Sequence, residues 1–260
     1  MWAVLNRMWR IAATGLSFSV FGLGGVIMPV LVAPIIYLST RDQRTRERRA
    51  KAFVSFLMRS FVRIMHGLGV LSYQIGDKTQ YNRPGHLVLA NHPTLIDTVF
   101  LIAFVPNADC VVKGALKRNP FTRIPIGLAG YIANDDPEGV IVEAAASLAR
   151  GNSLIIFPEG TRTTPGQPIK LRRGAANIAV RTNAPIAPVV SRCDPITLTK
   201  GEPWYRVPKT KPHFSYTVRP SIHVADVIGQ NSASLAARNL TKYLHNYFTQ
   251  ELSLNEQPRA

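Results

Sequence analysis

The chain has 260 residues, of which 46% are hydrophobic, and 31 Lys and Arg residues against 15 Asp and Glu residues give it a net charge of +16. This length fits one domain with an appendage, and the charge predicts an anionic partner: nucleic acid, a phosphorylated substrate or an acidic membrane surface. The high hydrophobic content favours the membrane surface. Cys110 and Cys193 lack metal-site spacing, so we expect neither a disulfide framework nor a bound metal.

Residues 11–40 contain no charged side chain and exceed the roughly 20 residues that cross a bilayer. A cleaved signal peptide is the rival interpretation because Arg7 and Arg10 precede this segment, but the stretch is long for one and a basic run follows it. We therefore expect a membrane anchor, with a single spanning helix preferred. Glycines and prolines interrupt the stretch, so a re-entrant hairpin of two short helices is the alternative.

The basic run at residues 41–51 is a denser cationic flank than the one before the apolar segment. The positive-inside rule therefore places the following chain on the cytoplasmic face of the inner membrane. Residues 50–67 repeat large apolar side chains at three- and four-residue steps, which predicts an amphipathic helix. This helix lies either in anionic headgroups or against a core. It completes a first unit of residues 1–67.

A histidine and an aspartate follow the apolar run at residues 87–90, in the sequence Asn-His-Pro-Thr-Leu-Ile-Asp. The pattern predicts a strand that ends in a polar turn, with Pro93 opening a helix. His92 and Asp97 meet if the histidine lies in the turn and the aspartate lies one turn into the helix. The carboxylate then orients the imidazole as a general base. The alternative is a turn or capping contact without chemistry.

A second motif, Ile-Ile-Phe-Pro-Glu-Gly-Thr-Arg, occupies residues 155–162, about 60 residues further on. In this order, the two motifs resemble the N-H-x4-D and F-P-E-G-T-R boxes of the glycerolipid acyltransferase family. Its best-known members are 1-acyl-sn-glycerol-3-phosphate acyltransferases, which acylate lysophosphatidic acid. The resemblance covers roughly residues 70–220. It implies a glycerol-phosphate acyltransferase-like α/β fold, with a mixed sheet flanked by helices behind an N-terminal helical membrane anchor.

The acyltransferase α/β domain is expected at residues 68–225, followed by a C-terminal helix and tail at 226–260. Apolar runs predict strands at residues 70–75, 87–90, 109–113, 154–157, 184–191 and 213–218. Periodic segments predict helices after Pro93, at residues 137–150, from residue 170 onward and at residues 232–252. We assign the run at 184–191 to shaping the sheet and lining an acyl tunnel, without a catalytic group.

The resemblance also implies a set of substrate-binding residues. Glu159 would orient the acceptor or its own loop, or simply pair with Arg162, which is a candidate phosphate ligand. Gly160 lets backbone approach a ligand closely. Lys113 follows a strand and is expected either near substrate phosphate or at the surface. The remaining candidates are Thr161 in the second box and the basic residues Arg172 or Arg173, the latter preferred, which could meet lipid phosphate or the acyl carrier.

The family's next box closes with an arginine that is implicated in binding the acceptor's phosphate, but here the corresponding residues 131–134 read Tyr-Ile-Ala-Asn. An amide cannot replace the bidentate grip of a guanidinium on phosphate. Lysophosphatidic acid is therefore the default acceptor, and a non-glycerophosphate acceptor, such as a lyso-ornithine or specialised pathway lipid, stays open.

These observations predict a membrane-bound O-acyltransferase for phospholipid biosynthesis, in which His92 and Asp97 are the catalytic residues. The donor would be acyl-coenzyme A or acyl carrier protein as a co-substrate, without cofactor or metal, and the partners would be membrane lipids. Nucleic-acid binding is a rival class that the charge alone suggests, since no such motif is present. A non-catalytic membrane protein is the third class, and the intact His92, Asp97 and Glu159 argue against it.

Overall fold

Seven strands form one mixed sheet in the computed structural model, which describes residues 2–119, 122–229 and 232–253. Their spatial order is β1-β7-β6-β2-β5-β3-β4, and only the pairing of β6 with β7 is antiparallel among the described strands. The strands are β1 (Ser72–Ile75), β2 (Leu87–Ala90), β3 (Ala108–Val112), β4 (Ile132–Ala133), β5 (Ser153–Ile156), β6 (Ile186–Asp194) and β7 (His213–Val218).

Helices cover both faces of this sheet. They are α1 (Trp2–Ile27), α2 (Ala33–Ser39), α3 (Gln43–Gly67), α4 (Asp97–Phe104), α5 (Gly114–Arg118), α6 (Arg123–Leu128), α7 (Pro137–Ala149), α8 (Arg173–Thr182), α9 (Val224–Ile228) and α10 (Ala233–Ser253). The central strands β2 and β5 are buried along their whole length, as expected for parallel strands with helices on both sides.

Two hydrophobic clusters lie on opposite faces of the sheet. Side chains alternate along β2, so Leu87 and Leu89 join a cluster with α7, α8 and α10. Val88 and Ala90 point the other way, into a cluster with α1, α3 and α4. The first helices of the chain therefore belong to the same core as the sheet.

The predicted mixed α/β fold is confirmed, and its strands agree closely with the sequence pattern. The strands at residues 87–90 and 213–218 have the predicted bounds, and the others shift by one to three residues. One expectation is wrong: Pro93 does not open a helix, because residues 91–96 form a loop and turn and α4 begins at Asp97. The short elements β4, α5 and α6 were not predicted. The tail of the expected unit 226–260 lies, after Ser253, outside the described residues.

The N-terminal residues form one helical run from Trp2 to Ser39, in which a π-helical turn at Met28–Val32 joins α1 to α2. This run is long and apolar enough to cross a membrane by length and composition. It does not fold back as a hairpin. Pro29 and Pro34 lie at the first turns of the π-helical and α2 segments, where a missing amide N–H is tolerated.

Both ends of this run are hydrogen-bonded to the rest of the protein. Near its beginning, the buried Arg10 guanidinium donates to the main-chain oxygens of residues 208–210, at 2.6 to 3.0 Å. The Trp9 indole donates to the Leu68 carbonyl at 2.9 Å. At its end, Arg46 of α3 donates to the Thr40 carbonyl at 2.8 Å, and Arg49 donates to the Ser39 hydroxyl at 2.5 Å. The run thus lies along one side of the domain.

A buried ion pair joins α3 to the sheet. Lys51 Nζ lies 2.5 Å from Asp109 Oδ1, and the two side chains are 5% and 1% exposed. The other carboxylate oxygen of Asp109 accepts hydrogen bonds from the Ser147 hydroxyl and from Asn152 Nδ2. Because both charged side chains are buried, loss of Lys51 leaves the Asp109 carboxylate without its cation.

We expect Lys51→Met to lower the free energy of unfolding by about 3–5 kcal/mol, because the Asp109 carboxylate then stays buried without its cation. Arg118→Ala removes the cation of the Arg118–Asp135 pair, whose side chains are 70% and 51% exposed, and should cost less than about 1 kcal/mol. Denaturant unfolding of both variants in one detergent measures the difference. Equal losses would contradict a structural role for the buried pair.

Candidate active site

The two sequence motifs meet at the carboxyl ends of the neighbouring parallel strands β2 and β5. The loop after β2 carries His92, and the loop after β5 carries Glu159 and Arg162. In open α/β sheets, ligands collect at this edge. A direct bond joins the loops, since the Glu159 Oε1 atom accepts from the His92 main-chain N–H at 2.8 Å.

His92 and Asp97 form the predicted pair. His92 Nδ1 lies 3.1 Å from Asp97 Oδ2, and the carboxylate therefore favours the tautomer with the proton on Nδ1, which leaves Nε2 as the acceptor. The imidazole stacks on the Phe157 ring with centroids 4.1 Å apart. His92 is 15% exposed and Asp97 is fully buried. The geometry is that of a general base held by a carboxylate.

Asp97 is surrounded by donors. Its Oδ1 accepts from the Ser191 hydroxyl and from the Tyr216 hydroxyl, each at 2.8 Å. Its Oδ2 accepts from the Thr94 main-chain N–H at 2.6 Å in addition to His92. Four donors among the described residues therefore satisfy a carboxylate that has no solvent contact.

Glu159 is buried and connects its own loop to the loop that carries His92. Its Oε2 accepts from the Thr163 hydroxyl at 2.7 Å, while Thr163 N–H donates to the His92 carbonyl at 2.8 Å. Burial raises the pKa of Glu159, and the bonds from Thr163 and His92 oppose this shift. Both carboxylate oxygens already have donors, so the geometry favours the loop-orienting alternative. No ion pair with Arg162 is present among the described residues.

The predicted phosphate ligands differ in how they are held. Arg162 Nη1 donates to the carbonyls of Leu198 and Thr199 at 3.1 and 2.8 Å, which ties the loop to the segment after β6. Gly160 has φ +66°, and a Cβ there would lie 3.0 Å from Cδ of Arg172. The exposed Arg172 side chain therefore crosses the second motif.

The other predicted ligands are more peripheral. Thr161 is half-buried in the loop, whereas Lys113, after β3, and Arg173, at the start of α8, are exposed. At the position where the family places arginine, the Asn134 side-chain oxygen accepts from the Gly114 N–H at 3.2 Å. Next to it, Asp135 pairs with Arg118 at 3.0 Å. This corner is consequently occupied by a neutral amide and an ion pair.

Sequence reasoning missed the residues that hold the pair in place. Ser191 ends the run that we had assigned no chemical group, and Tyr216 lies in a strand that carries no recognised motif. Asn91 belongs to the first motif but was assigned no role there, and its side chain exchanges two 2.8 Å hydrogen bonds with the Ser191 main chain. The alternation of β6 and β7 was a usable signal, because it puts polar side chains on a buried face. Among the described residues, no His, Cys, Asp and Glu cluster could hold a metal ion.

Fold and site together define an α/β protein with a carboxylate-oriented histidine at the carboxyl edge of a parallel sheet. A family model described as Acyltransferase matches residues 73–192, which span the strands β2 to β5 and both motifs. Residues 73–192 of the chain are therefore similar to an acyltransferase domain.

Related proteins agree with this assignment. A 1-acyl-sn-glycerol-3-phosphate acyltransferase of Pseudomonas aeruginosa is 28% identical over 159 residues, which cover 59% of this chain and 59% of the relative. The human 1-acyl-sn-glycerol-3-phosphate acyltransferase beta is 28% identical over 171 residues, covering 61% of this chain and 58% of the relative. The chain spans about half the length of the curated relatives it matches.

A solved structure has the same fold. The crystal structure of the 1-acyl-sn-glycerophosphate (LPA) acyltransferase PlsC from Thermotoga maritima matches with a TM-score of 0.69, covering 96% of this chain and 99% of that chain. The sequences are 19% identical, so the likeness concerns the fold. It extends beyond the family segment to the N-terminal helices and the C-terminal helix.

We expect Glu159→Ala to lower the free energy of unfolding by about 1–3 kcal/mol, since the His92 N–H and the Thr163 hydroxyl lose their buried acceptor. Glu159→Gln keeps an acceptor oxygen and should cost less. Because burial raises the pKa of Glu159, the wild-type protein should lose stability relative to Glu159→Gln as the pH rises above the ordinary glutamate value. Denaturant unfolding at several pH values measures both effects. A pH-independent difference would contradict the raised pKa.

Proposed function

We propose that this protein is a membrane-bound O-acyltransferase that moves a fatty acyl group from a thioester to a hydroxyl of a lyso-lipid, with His92 as the general base. The observation that carries this proposal is an imidazole whose Nδ1 lies 3.1 Å from the buried Asp97 carboxylate and whose Nε2 has no hydrogen-bond partner within the described part of the chain. The match of residues 73–192 to the Acyltransferase family model supports the reaction class. No nucleophilic side chain is needed, because the substrate supplies the nucleophile.

The proposed reaction follows from these positions. His92 Nε2 takes the proton of the acceptor hydroxyl as its oxygen attacks the thioester carbonyl carbon. The Asp97 carboxylate stabilises the imidazolium that forms. A C–O bond forms, the C–S bond breaks, and the departing thiolate takes the proton back from the imidazolium. The ester and the thiol are the products, and the base is restored without a cofactor.

Acyl-coenzyme A or acyl carrier protein would be the donor. Both are anionic, and the chain has a net charge of +16, so electrostatic attraction raises the encounter rate. The acceptor would most simply be 1-acyl-glycerol-3-phosphate, giving phosphatidic acid, as the names of the relatives suggest. A non-glycerophosphate lyso-lipid is the second candidate, favoured by the amide of Asn134 where the family has an arginine.

Arg172 is our preferred ligand for an acceptor phosphate, in place of Arg173. Its side chain crosses Gly160 in the loop after β5, which is hydrogen-bonded to His92 through Glu159. Its main-chain N–H donates to the Pro158 carbonyl at 2.7 Å. Arg162 can contribute its remaining N–H groups, although Nη1 is used by two carbonyls. Thr161 and Lys113 complete the proposed set, with Gly160 admitting the close approach.

One side of the N-terminal helical run would contact the membrane. A helix that crosses a bilayer has its ends on opposite sides, whereas both ends of this run are hydrogen-bonded to one body. We therefore propose that residues 1–67 anchor the protein in one leaflet, on the cytoplasmic side, instead of spanning the membrane. The outward apolar side chains that would enter the lipid include Leu16, Val20, Leu23, Val26, Val30, Leu31, Ile35 and Leu38.

We expect His92→Ala and Asp97→Ala to lower turnover at least about 10²–10⁴-fold, because the acceptor proton loses its base or the base loses its orientation. The measurement is ester formation by purified protein in lipid vesicles, with acyl-coenzyme A or acyl carrier protein and a panel of lyso-lipids analysed by mass spectrometry. The same panel identifies the acceptor.

His86→Ala is the matched control, because this histidine lies at the opposite end of β2 and its imidazole contacts the Pro84 carbonyl. It should leave turnover within a few-fold of the wild type. Retained turnover in a folded His92→Ala or Asp97→Ala protein would overturn the proposed mechanism. Absence of any ester product in the wild type, with both donors, would overturn the proposed function.

We expect Arg172→Gln to raise KM for a phosphate-bearing acceptor about tenfold or more, with a smaller change in kcat, because a charge-assisted contact is lost while the base stays in place. Arg173→Gln is the control, since its side chain does not cross the loop. Steady-state kinetics with the acceptor found in the panel measure this difference. An equal rise in both variants would contradict the preference for Arg172.

A further inference from the structure

We infer that Tyr216 and Ser191 are positioning residues, whose hydroxyl groups hold Asp97 as an oriented carboxylate and thereby set the basicity of His92. This inference rests on the proposed function and deepens it. Ser191 lies at the end of the segment that matches the family model, and Tyr216 lies outside it. The site is therefore completed by the C-terminal strand β7.

The two oxygens of the Asp97 carboxylate have different hydrogen-bond donors. Oδ2 faces His92 and the Thr94 N–H, whereas Oδ1 accepts only the two hydroxyl groups, each at 2.8 Å, among the described residues. Ser191 and Tyr216 are each 1% exposed. Since water does not reach Oδ1, these hydroxyl groups are the groups that satisfy it.

Neighbouring contacts fix the two hydroxyl groups. Ser191 and Tyr216 are directly opposite each other in the antiparallel pair of β6 and β7, so their side chains share a face. The amide of Asn91 clamps the Ser191 main chain with two bonds. The Tyr216 ring stacks on Phe100, one turn after Asp97, with centroids 4.6 Å apart. The surrounding contacts therefore hold both hydroxyl groups in position to donate to Oδ1.

Tyr216 stays protonated and can only serve Oδ1 as a donor, because burial and the Asp97 charge raise its pKa well above the ordinary tyrosine value. Burial likewise raises the pKa of Cys193, the nearby thiol on β6, to about 12. Glu159, on the loop after β5, and His92 also face the Asp97 carboxylate, and Asp194 and Glu202 face Cys193. Neither Tyr216 nor Cys193 changes charge at neutral pH.

Removal of one hydroxyl has two effects with the same sign. The remaining charge on Asp97 is less delocalised, so it interacts more strongly with the imidazolium and raises the pKa of His92. The carboxylate also loses a bond to its charged form, which raises its own pKa. Both changes make the active form, a neutral imidazole beside an ionised carboxylate, appear at a higher pH.

Tyr216→Phe in the 260-residue protein tests whether the hydroxyl group controls the titration of His92, because the substitution keeps the ring stacked on Phe100. We expect the acidic limb of the kcat/KM profile to move to higher pH by roughly one unit, the size expected for one hydrogen bond to a charged group. Ser191→Ala should shift it in the same direction. The pKa of His92 is measured independently by NMR titration of its imidazole, assigned by its loss in His92→Ala, and should also rise.

Tyr81→Phe is the matched control. The buried Tyr81 hydroxyl donates to the main-chain carbonyl of Tyr216 at 2.9 Å and does not touch Asp97, so its removal should leave both titrations unchanged. A lowered kcat with unshifted titrations in Tyr216→Phe and Ser191→Ala would overturn the inference and leave the proposed function standing. If the wild type makes no ester, the proposed function fails, and the NMR titration still decides whether these hydroxyl groups control His92.

Discussion

A carboxylate without solvent contact must find its hydrogen-bond donors within the protein, and Asp97 finds them in three separate parts of the chain. The loop after β2 supplies His92 and Thr94, β6 supplies Ser191, and β7 supplies Tyr216. These segments can converge only when the sheet has its observed order, with β6 between β2 and β7. The sheet order and the hydrogen bonding of Asp97 are thus one constraint, since a charge this deeply buried is costly unless every donor is in place.

The architecture could be predicted because most strands and helices have a recognisable pattern in their own local sequence. Buried strands such as β2 and β5 are short apolar runs between polar turns, and α10 has a clear helical period, so their bounds agree within a few residues. The elements β4, α5 and α6 could not be predicted in this way, because each is only a few residues long and its conformation depends on neighbouring elements. Pro93 misled for a related reason: it suits a first helical turn, but the loop conformation is fixed by Asp97 accepting the Thr94 N–H.

The site residues likewise fall into those that the sequence could predict and those that it could not. His92, Asp97, Glu159 and Arg162 could be named because they belong to two ordered motifs, whereas Ser191 and Tyr216 act across sequence separations of 94 and 119 residues. Roles were harder to predict than positions. Glu159 and Arg162 look like substrate ligands in the sequence, yet much of their hydrogen-bonding capacity is spent on main-chain groups that shape the loop. Arg172 lies ten residues beyond the motif, and the return of the loop places its side chain over Gly160. The sequence named Arg172 as a candidate but favoured its neighbour Arg173.

The N-terminal run is bonded at both ends to the body that carries His92. In the proposed one-leaflet arrangement, every product molecule is therefore released into the monolayer from which its acceptor came. Acylation adds a second chain to a lipid and so enlarges the lateral area of that monolayer alone. A bilayer that grows through such an enzyme acquires an area imbalance between its two halves. Growth of the membrane as a whole then depends on how quickly lipids cross from one half to the other.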